Sequence, residues 1–288
     1  MLLNLKRKIG IKLFNRRKAL KYILFDKIYS LFILNKKKLP LFLKRFDTDG
    51  FAQIDPNVKQ EITDLNKILE LDKIKEDPPF HFLINDDVKK NINNILSKIE
   101  FNIISYLKNY FNSDILPAYI CLRRNTFYEK NSLGDELYNN NFHNDAYLFT
   151  HFKIFVNLND VSKKSGPMKI VPKRKTHNFL KKINYLDRTK YNDYDENYSY
   201  ANVGKYGDCL LFDPTNCFHS AGIPEENYKR DYLIITYVCV PKKKEFLEKF
   251  KEVDIYKYYA NKLLSFSKPT KFFETVKIFL NFYSSKIN

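Results

Sequence analysis

Between residues 117 and 240 the chain is cut into short apolar runs, each closed by turn-forming residues. Residues 152–158, 168–171, 209–212 and 231–240 are rich in β-branched and aromatic side chains, and each reads as a strand. Gly166-Pro167 and Asp213-Pro214-Thr215-Asn216 mark the turns between them. Residues 117–127 are β-rich as well, 131–141 form a polar loop, and 180–202 have no strong periodicity. Upstream, Asp47-Thr48-Asp49-Gly50 predicts a turn into a short strand at 51–54. Helical spacing follows at 58–76 (Ile62, Leu65, Ile68, Leu69) and at 86–112 (Ile92, Ile95, Leu96, Ile99). Short strands at this turn density behind helices predict a mainly β chain with flanking helices, a sandwich or jelly roll.

The charge is not spread evenly. The net charge is +17, yet residues 1–44 carry thirteen Lys and Arg against one acid, and residues 241–288 carry eleven Lys against five acids. The intervening stretch holds 26 basic and 27 acidic residues. A neutral centre argues against nucleic acid as partner, because such proteins carry their positive face on the folded domain. Three parts follow: a basic amphipathic helical extension over 1–44, a domain over 45–240, and a basic helical extension over 241–288. The end helices either pack on the domain or, for 1–44, rest on an anionic membrane surface. Cations interrupt every apolar stretch near the N-terminus, so neither a signal peptide nor a membrane span is expected. Cys121, Cys209, Cys217 and Cys239 show no paired spacing, which predicts reduced thiols in a cytoplasmic or membrane-peripheral protein.

One set of residues points to chemistry. His143 and Asp145 are spaced i, i+2, which on a strand puts both side chains on one face. With His219 they can make a two-His-one-carboxylate set, which leaves open positions on a non-haem Fe(II). Arg230 follows His219 by eleven residues, where its guanidinium can fork onto a ligand carboxylate. The plainer readings are two core histidines, a turn aspartate, and a surface arginine paired with a neighbouring acid. His151 and His177 read as structural or surface residues, and His81, with no motif partner, is assigned no role.

Several motifs in order resemble the phytanoyl-CoA dioxygenase-like family of Fe(II)/2-oxoglutarate-dependent oxygenases. They are Phe142-His143-Asn144-Asp145, Lys153 through Val161, Ser165-Gly166-Pro167, Val171-Pro172 leading to Thr176-His177, Gly207 through Asp213, Phe218 through Gly222, and Arg230. The resemblance implies a double-stranded β-helix over roughly residues 45–240. It implies Fe(II) on His143, Asp145 and His219, the distal carboxylate of 2-oxoglutarate on Arg230, and Lys153 facing that co-substrate. The family consumes 2-oxoglutarate and O2, releases succinate and CO2, and oxidises a C–H bond of a small molecule, here lipid-linked or glycan-related if the ends touch membrane. Asp145 fills the space that halogenating relatives keep for a halide, so hydroxylation or a related oxidation is implied. Two departures stand out. Lys173-Arg174-Lys175-Thr176 lengthens a turn that is commonly Pro-Gly-Ser-His, and Ala221 replaces a hydroxyl residue that often holds the co-substrate. Residues 128–141 and 180–205 are the expected substrate determinants. Two other readings stay open: a non-catalytic metal-binding jelly roll, and a basic membrane-surface protein with a scaffold core.

Overall fold

A computed structural model describes residues 39–71, 80–128, 138, 140–143, 145, 151–180, 199–240 and 254–256. Residues 1–38 of the basic helix expected over 1–44, nearly all of 241–288, and most of the two substrate-determining stretches lie outside the described residues. The described residues form antiparallel β-sheets with flanking helices, an α+β arrangement.

Helices come first because their apolar stripes are continuous. α1 (Lys44–Asp49) occupies the place of the predicted turn, and the chain turns only at Gly50, which ends the helix at φ 81°. α2 (Lys59–Ile68) is shorter than its pattern suggests, since the backbone is already extended at Leu69. α3 (Asp86–Ile99) starts at Asn85, whose side chain accepts from the Val88 N–H at 2.9 Å. It continues through a wide turn, Glu100–Ile104, into α4 (Ser105–Phe111). Ile92, Ile95 and Ile99 are fully buried on one face, each worth about 1.5–3 kcal/mol of apolar transfer.

The strands are β1 (Phe51–Ile54), β2 (Phe80–His81), β3 (Asp114–Thr126), β4 (His151–Asn157), β5 (Lys169–Ile170), β6 (Tyr200–Ala201), β7 (Cys209–Phe212), β8 (His219–Ser220) and β9 (Lys229–Val240). A six-stranded sheet runs β1-β7-β4-β9-β3-β2, and a three-stranded sheet runs β6-β5-β8. A single antiparallel bridge between His143 and His219 adds residue 143 beside β8. Counting that bridge, from β3 onward the chain passes back and forth between the two sheets, with β5 and β6 the one consecutive pair among the described strands to stay in the same sheet.

Side-chain alternation explains why the central strands read as unbroken apolar runs. Ile154, Val156, Leu211, Leu233 and Ile235 pack under the helices with Ile62, Leu65 and Ile95. Their neighbours Phe155, Leu210, Phe212, Tyr232 and Ile234 point the other way and pack with Met168 and Ile170 of the small sheet. Both faces of the large sheet are covered, so neither face selects polar residues. The stretch predicted as a lengthened basic turn is instead a helix, α5 (Lys173–Leu180). Its Thr176 is fully buried; the hydroxyl donates to Val171 O at 3.0 Å and accepts from the Phe218 N–H at 3.0 Å. That bond ties α5 to the residue before His219.

The loops at 165–167 and 222–224 touch backbone to backbone, and this contact shapes the connection from β8, which carries His219, to β9, which carries Arg230. Gly166 sits at φ +65°, and a Cβ there would fall 2.5 Å from Pro224 N. At Gly222 it would fall 2.6 Å from Pro167 O. Gly166→Ala is expected to destabilise by at least about 1–3 kcal/mol from the backbone conformation alone, seen as a lowered urea midpoint. A midpoint equal to wild type would show that the loops can part freely.

Candidate metal centre

His143, Asp145 and His219 come together between the sheets. One ligand atom from each lies within 4.8 Å of the others, a group that could hold a metal ion. The backbone explains the meeting of the two histidines: residues 143 and 219 exchange N–H to O bonds of 3.0 and 2.9 Å. Asp145 is held separately, its N–H donating to Pro214 O at 3.0 Å. His143 Nδ1 lies 2.8 Å from Asn141 O, and His219 Nδ1 lies 3.0 Å from Cys217 O. A carbonyl accepts only, so each Nδ1 carries the proton and each Nε2 keeps its lone pair for a cation. His143 Nε2 is 3.8 Å from Asp145 Oδ1.

The electrostatics favour an ionised aspartate beside a neutral His219. Burial opposes ionisation of Asp145, but the Lys153 ammonium beside it holds its carboxyl well below the usual range. Burial, reinforced by His143, pulls the His219 pKa down from 6.5 to about 3. An unfolded chain would protonate His219 near its usual pKa while the folded one resists, so metal-free protein loses stability as pH falls from about 6.5 toward 3. The slope is at most about 1.4 kcal/mol per pH unit for this imidazole. Urea midpoints of metal-free protein at neutral and mildly acid pH measure it, and equal midpoints would contradict the buried neutral state.

The other singled-out residues are placed as follows. Lys153 faces the space between the sheets with its ammonium on Asp145 Oδ2 at 2.5 Å. This leaves Oδ1 on the His143 side. Arg230 is buried, 5% exposed, with its guanidinium 4.7 Å from the Tyr232 ring centre. Its Nε has no hydrogen-bond partner among the described residues. The reading of Arg230 as a surface ion pair does not fit this burial. Asp231 faces the opposite way and takes Arg124 in a two-pronged pair at 2.6 and 2.7 Å. His177 is in α5, and His81 is in β2 at the sheet edge.

Three further residues face inward: His151, read from the sequence as structural or surface, and Asn125 and Arg123, which the sequence did not single out. His151 shares a face with Lys153 by strand period, is buried, and lies 3.2 Å from Thr215 Oγ1 through Nδ1. The i, i+2 spacing of His151 and Lys153 carried that signal. Asn125 and Arg123 of β3 also face inward, and nothing local in the sequence pairs them with β9.

No family model matches the chain, and no curated protein matches it. Among solved structures, similar chains include the non-heme alpha ketoglutarate dependent epimerase SnoN from nogalamycin biosynthesis, at 16% identity over 72% of this chain and 86% of that one, with TM-score 0.46. EvdO2 from Micromonospora carbonacea var. aurantiaca, complexed with 2-oxoglutarate, is 13% identical over 72% of this chain and 94% of its own, with TM-score 0.47. The non-heme monooxygenase ThoJ is 15% identical over 80% of this chain and 100% of its own, with TM-score 0.46. Likenesses this distant assign neither family nor activity. The described residues contain no helix long and apolar enough to cross a membrane.

Proposed function

We propose that the protein is an Fe(II)- and 2-oxoglutarate-dependent oxygenase on a double-stranded β-helix, of the phytanoyl-CoA dioxygenase-like kind, hydroxylating a C–H bond of an organic small molecule. One observation carries the reading: a two-His-one-carboxylate group with both imidazoles buried shares the space between two sheets with a buried arginine whose Nε has no partner among the described residues. Alternation of strands between the sheets supports the β-helix.

The donor set fits ferrous iron. Two imidazole nitrogens and one carboxylate oxygen suit it, and three protein ligands leave positions for a bidentate co-substrate and O2. Iron bound there would supply the oxidising power of the reaction. The chain does the rest. Carbonyls of Asn141 and Cys217 fix the imidazole tautomers, and Lys153 holds the second oxygen of Asp145 so that one oxygen faces the centre. Arg230 is placed to receive the distal carboxylate of 2-oxoglutarate as a charge-assisted pair. Phe155, Phe212 and Tyr232 line the space and exclude water, which strengthens each of these contacts. The substrate is a small molecule, and the basic residues 1–44 are proposed to bring the enzyme to an anionic membrane surface where a lipid-linked substrate would lie.

Succinate formation from 2-oxoglutarate under air, by protein loaded anaerobically with Fe(II), tests the reading. Slow turnover is expected, abolished by chelation and by Asp145→Ala. If 2-oxoglutarate neither binds nor is consumed with iron present, the non-catalytic metal-binding reading replaces this one.

A further inference from the structure

The two most exposed large apolar side chains among the described residues are Leu41 and Phe101, at 85% and 80%. A ring contact brings their two segments together. Phe42, beside Leu41 in the turn Leu41–Leu43, meets Tyr106 of α4 edge to face, with ring centres 5.7 Å apart. Both rings are themselves exposed, so this is a surface pair and not part of the core. Phe101 joins it through the wide turn. In a regular α-helix, residues five apart point about 140° away from each other. Glu100–Ile104 instead bonds residues five apart, Ser105 N–H to Glu100 O. Phe101 therefore comes round toward the side of Tyr106, while Ile103, Ile104 and Leu107 take the core side.

Exposed rings gathered in this way mark a docking place, and charge says for what. Lys36, Lys37 and Lys38 precede the patch in the chain and Lys44 follows it, within a stretch, residues 1–44, of thirteen Lys and Arg against one acid. Glu100, the acid next to Phe101, is already paired with Lys108. A second copy of the chain would suit the rings but not the charge, because a two-fold contact over the patch sets the same cationic stretch against itself. Anionic lipid suits both. Its head groups attract the cations, and Leu and Phe enter the acyl boundary beneath them.

We propose that Leu41, Phe42, Phe101 and Tyr106 form the face by which the folded domain enters an anionic lipid surface, beside the cations of residues 1–44; this rests on the membrane reading given above for those residues. Cations alone would hold the protein at the head groups in many orientations. Rings inserted from two separate segments of the folded domain fix one orientation, and with it the direction from which a lipid-linked substrate arrives.

The chain has no tryptophan, so Phe101→Trp puts a single reporter on the patch. Its emission should shift to the blue with vesicles of equimolar phosphatidylcholine and phosphatidylglycerol and stay unchanged with phosphatidylcholine alone. In co-sedimentation with the mixed vesicles, Phe101→Ser and Phe42→Ser should each bind about tenfold more weakly than wild type, and Phe101→Leu should keep most of the affinity. Without lipid, Phe101→Ser should match wild type in urea midpoint; should Phe42→Ser lose the fold with its ring contact, Phe101→Ser decides alone. Affinity within about twofold of wild type in Phe101→Ser overturns the proposal, as does an unshifted Phe101→Trp; if wild type still binds, the membrane reading of residues 1–44 survives on charge alone. No binding by wild type removes both. A wild type that elutes as a dimer, with Phe101→Ser eluting as a monomer, assigns the patch to a second copy and overturns the proposal too. Iron-dependent succinate formation is read without lipid, so the oxygenase reading stands or falls separately.

Discussion

His219→Ala abolishes both metal-dependent stabilisation and succinate formation while leaving the fold in place. The fold is expected to survive because β8 is fastened by backbone groups: residues 143 and 219 exchange main-chain bonds, and the Phe218 N–H is held by Thr176. None of these needs the imidazole. The metal site does need it, because only His143 and Asp145 would remain of the group. Mn(II) affinity should therefore fall by more than the about 10- to 100-fold that losing an outer-shell partner costs. A second readout follows from the same side chain. His219 stays neutral when buried, so its removal should flatten the loss of stability of metal-free protein on mild acidification. Mn(II) titration followed by electron paramagnetic resonance, succinate assays, and urea midpoints at two pH values measure the three effects. Wild-type Mn(II) affinity in the variant would remove His219 from the metal group and with it the basis of the proposed function.

What the sequence revealed of this fold and site followed from the range of the physics. Ile92, Ile95 and Ile99 declare a helix because a single stripe must be buried, and every residue of that stripe lies within three turns. His143 and Asp145 are legible as a pair for the same local reason, and His219 with Arg230 because only eleven residues separate them. Local misreadings came where two signals compete. Asp47-Thr48-Asp49-Gly50 has turn chemistry, yet Phe46 is buried and Gly50 terminates a helix rather than opening a turn. Lys173 through Thr176 reads as a lengthened basic turn, yet Thr176 anchors that stretch to the residue before β8 as a helix. Long-range pairing was not legible at all. Asn125 meets Arg230 only through the β3–β9 register, and the Lys153 ammonium meets Asp145 across the gap between sheets. Nothing in a window of a few residues encodes such partners, because loop closure and sheet register decide them.

Lys153→Met should destabilise the metal-free protein by about 3–5 kcal/mol, the cost of leaving a largely buried charge without its partner. Lys153 and Asp145 are 17% and 14% exposed as side chains and 2.5 Å apart, so water can replace little of what the ammonium supplies. His143 and His219 give only partial relief, because burial keeps His219 neutral across ordinary pH. A divalent cation in the same place changes the balance. It would neutralise Asp145 directly, so Mn(II) should recover most of the lost stability and raise the melting temperature more in the variant than in wild type. The two positions of positive charge, ammonium and metal, are then partly interchangeable for folding but not for chemistry. Urea unfolding of both proteins with and without Mn(II) makes the comparison, and an equal deficit in both conditions would mean that Lys153 stabilises by packing its stem rather than by neutralising Asp145. The same variant separates the two roles open to this lysine. If it only holds the carboxylate, Mn(II)-loaded Lys153→Met keeps its affinity for 2-oxoglutarate. If the ammonium turns to the co-substrate once a metal takes Asp145, that affinity falls.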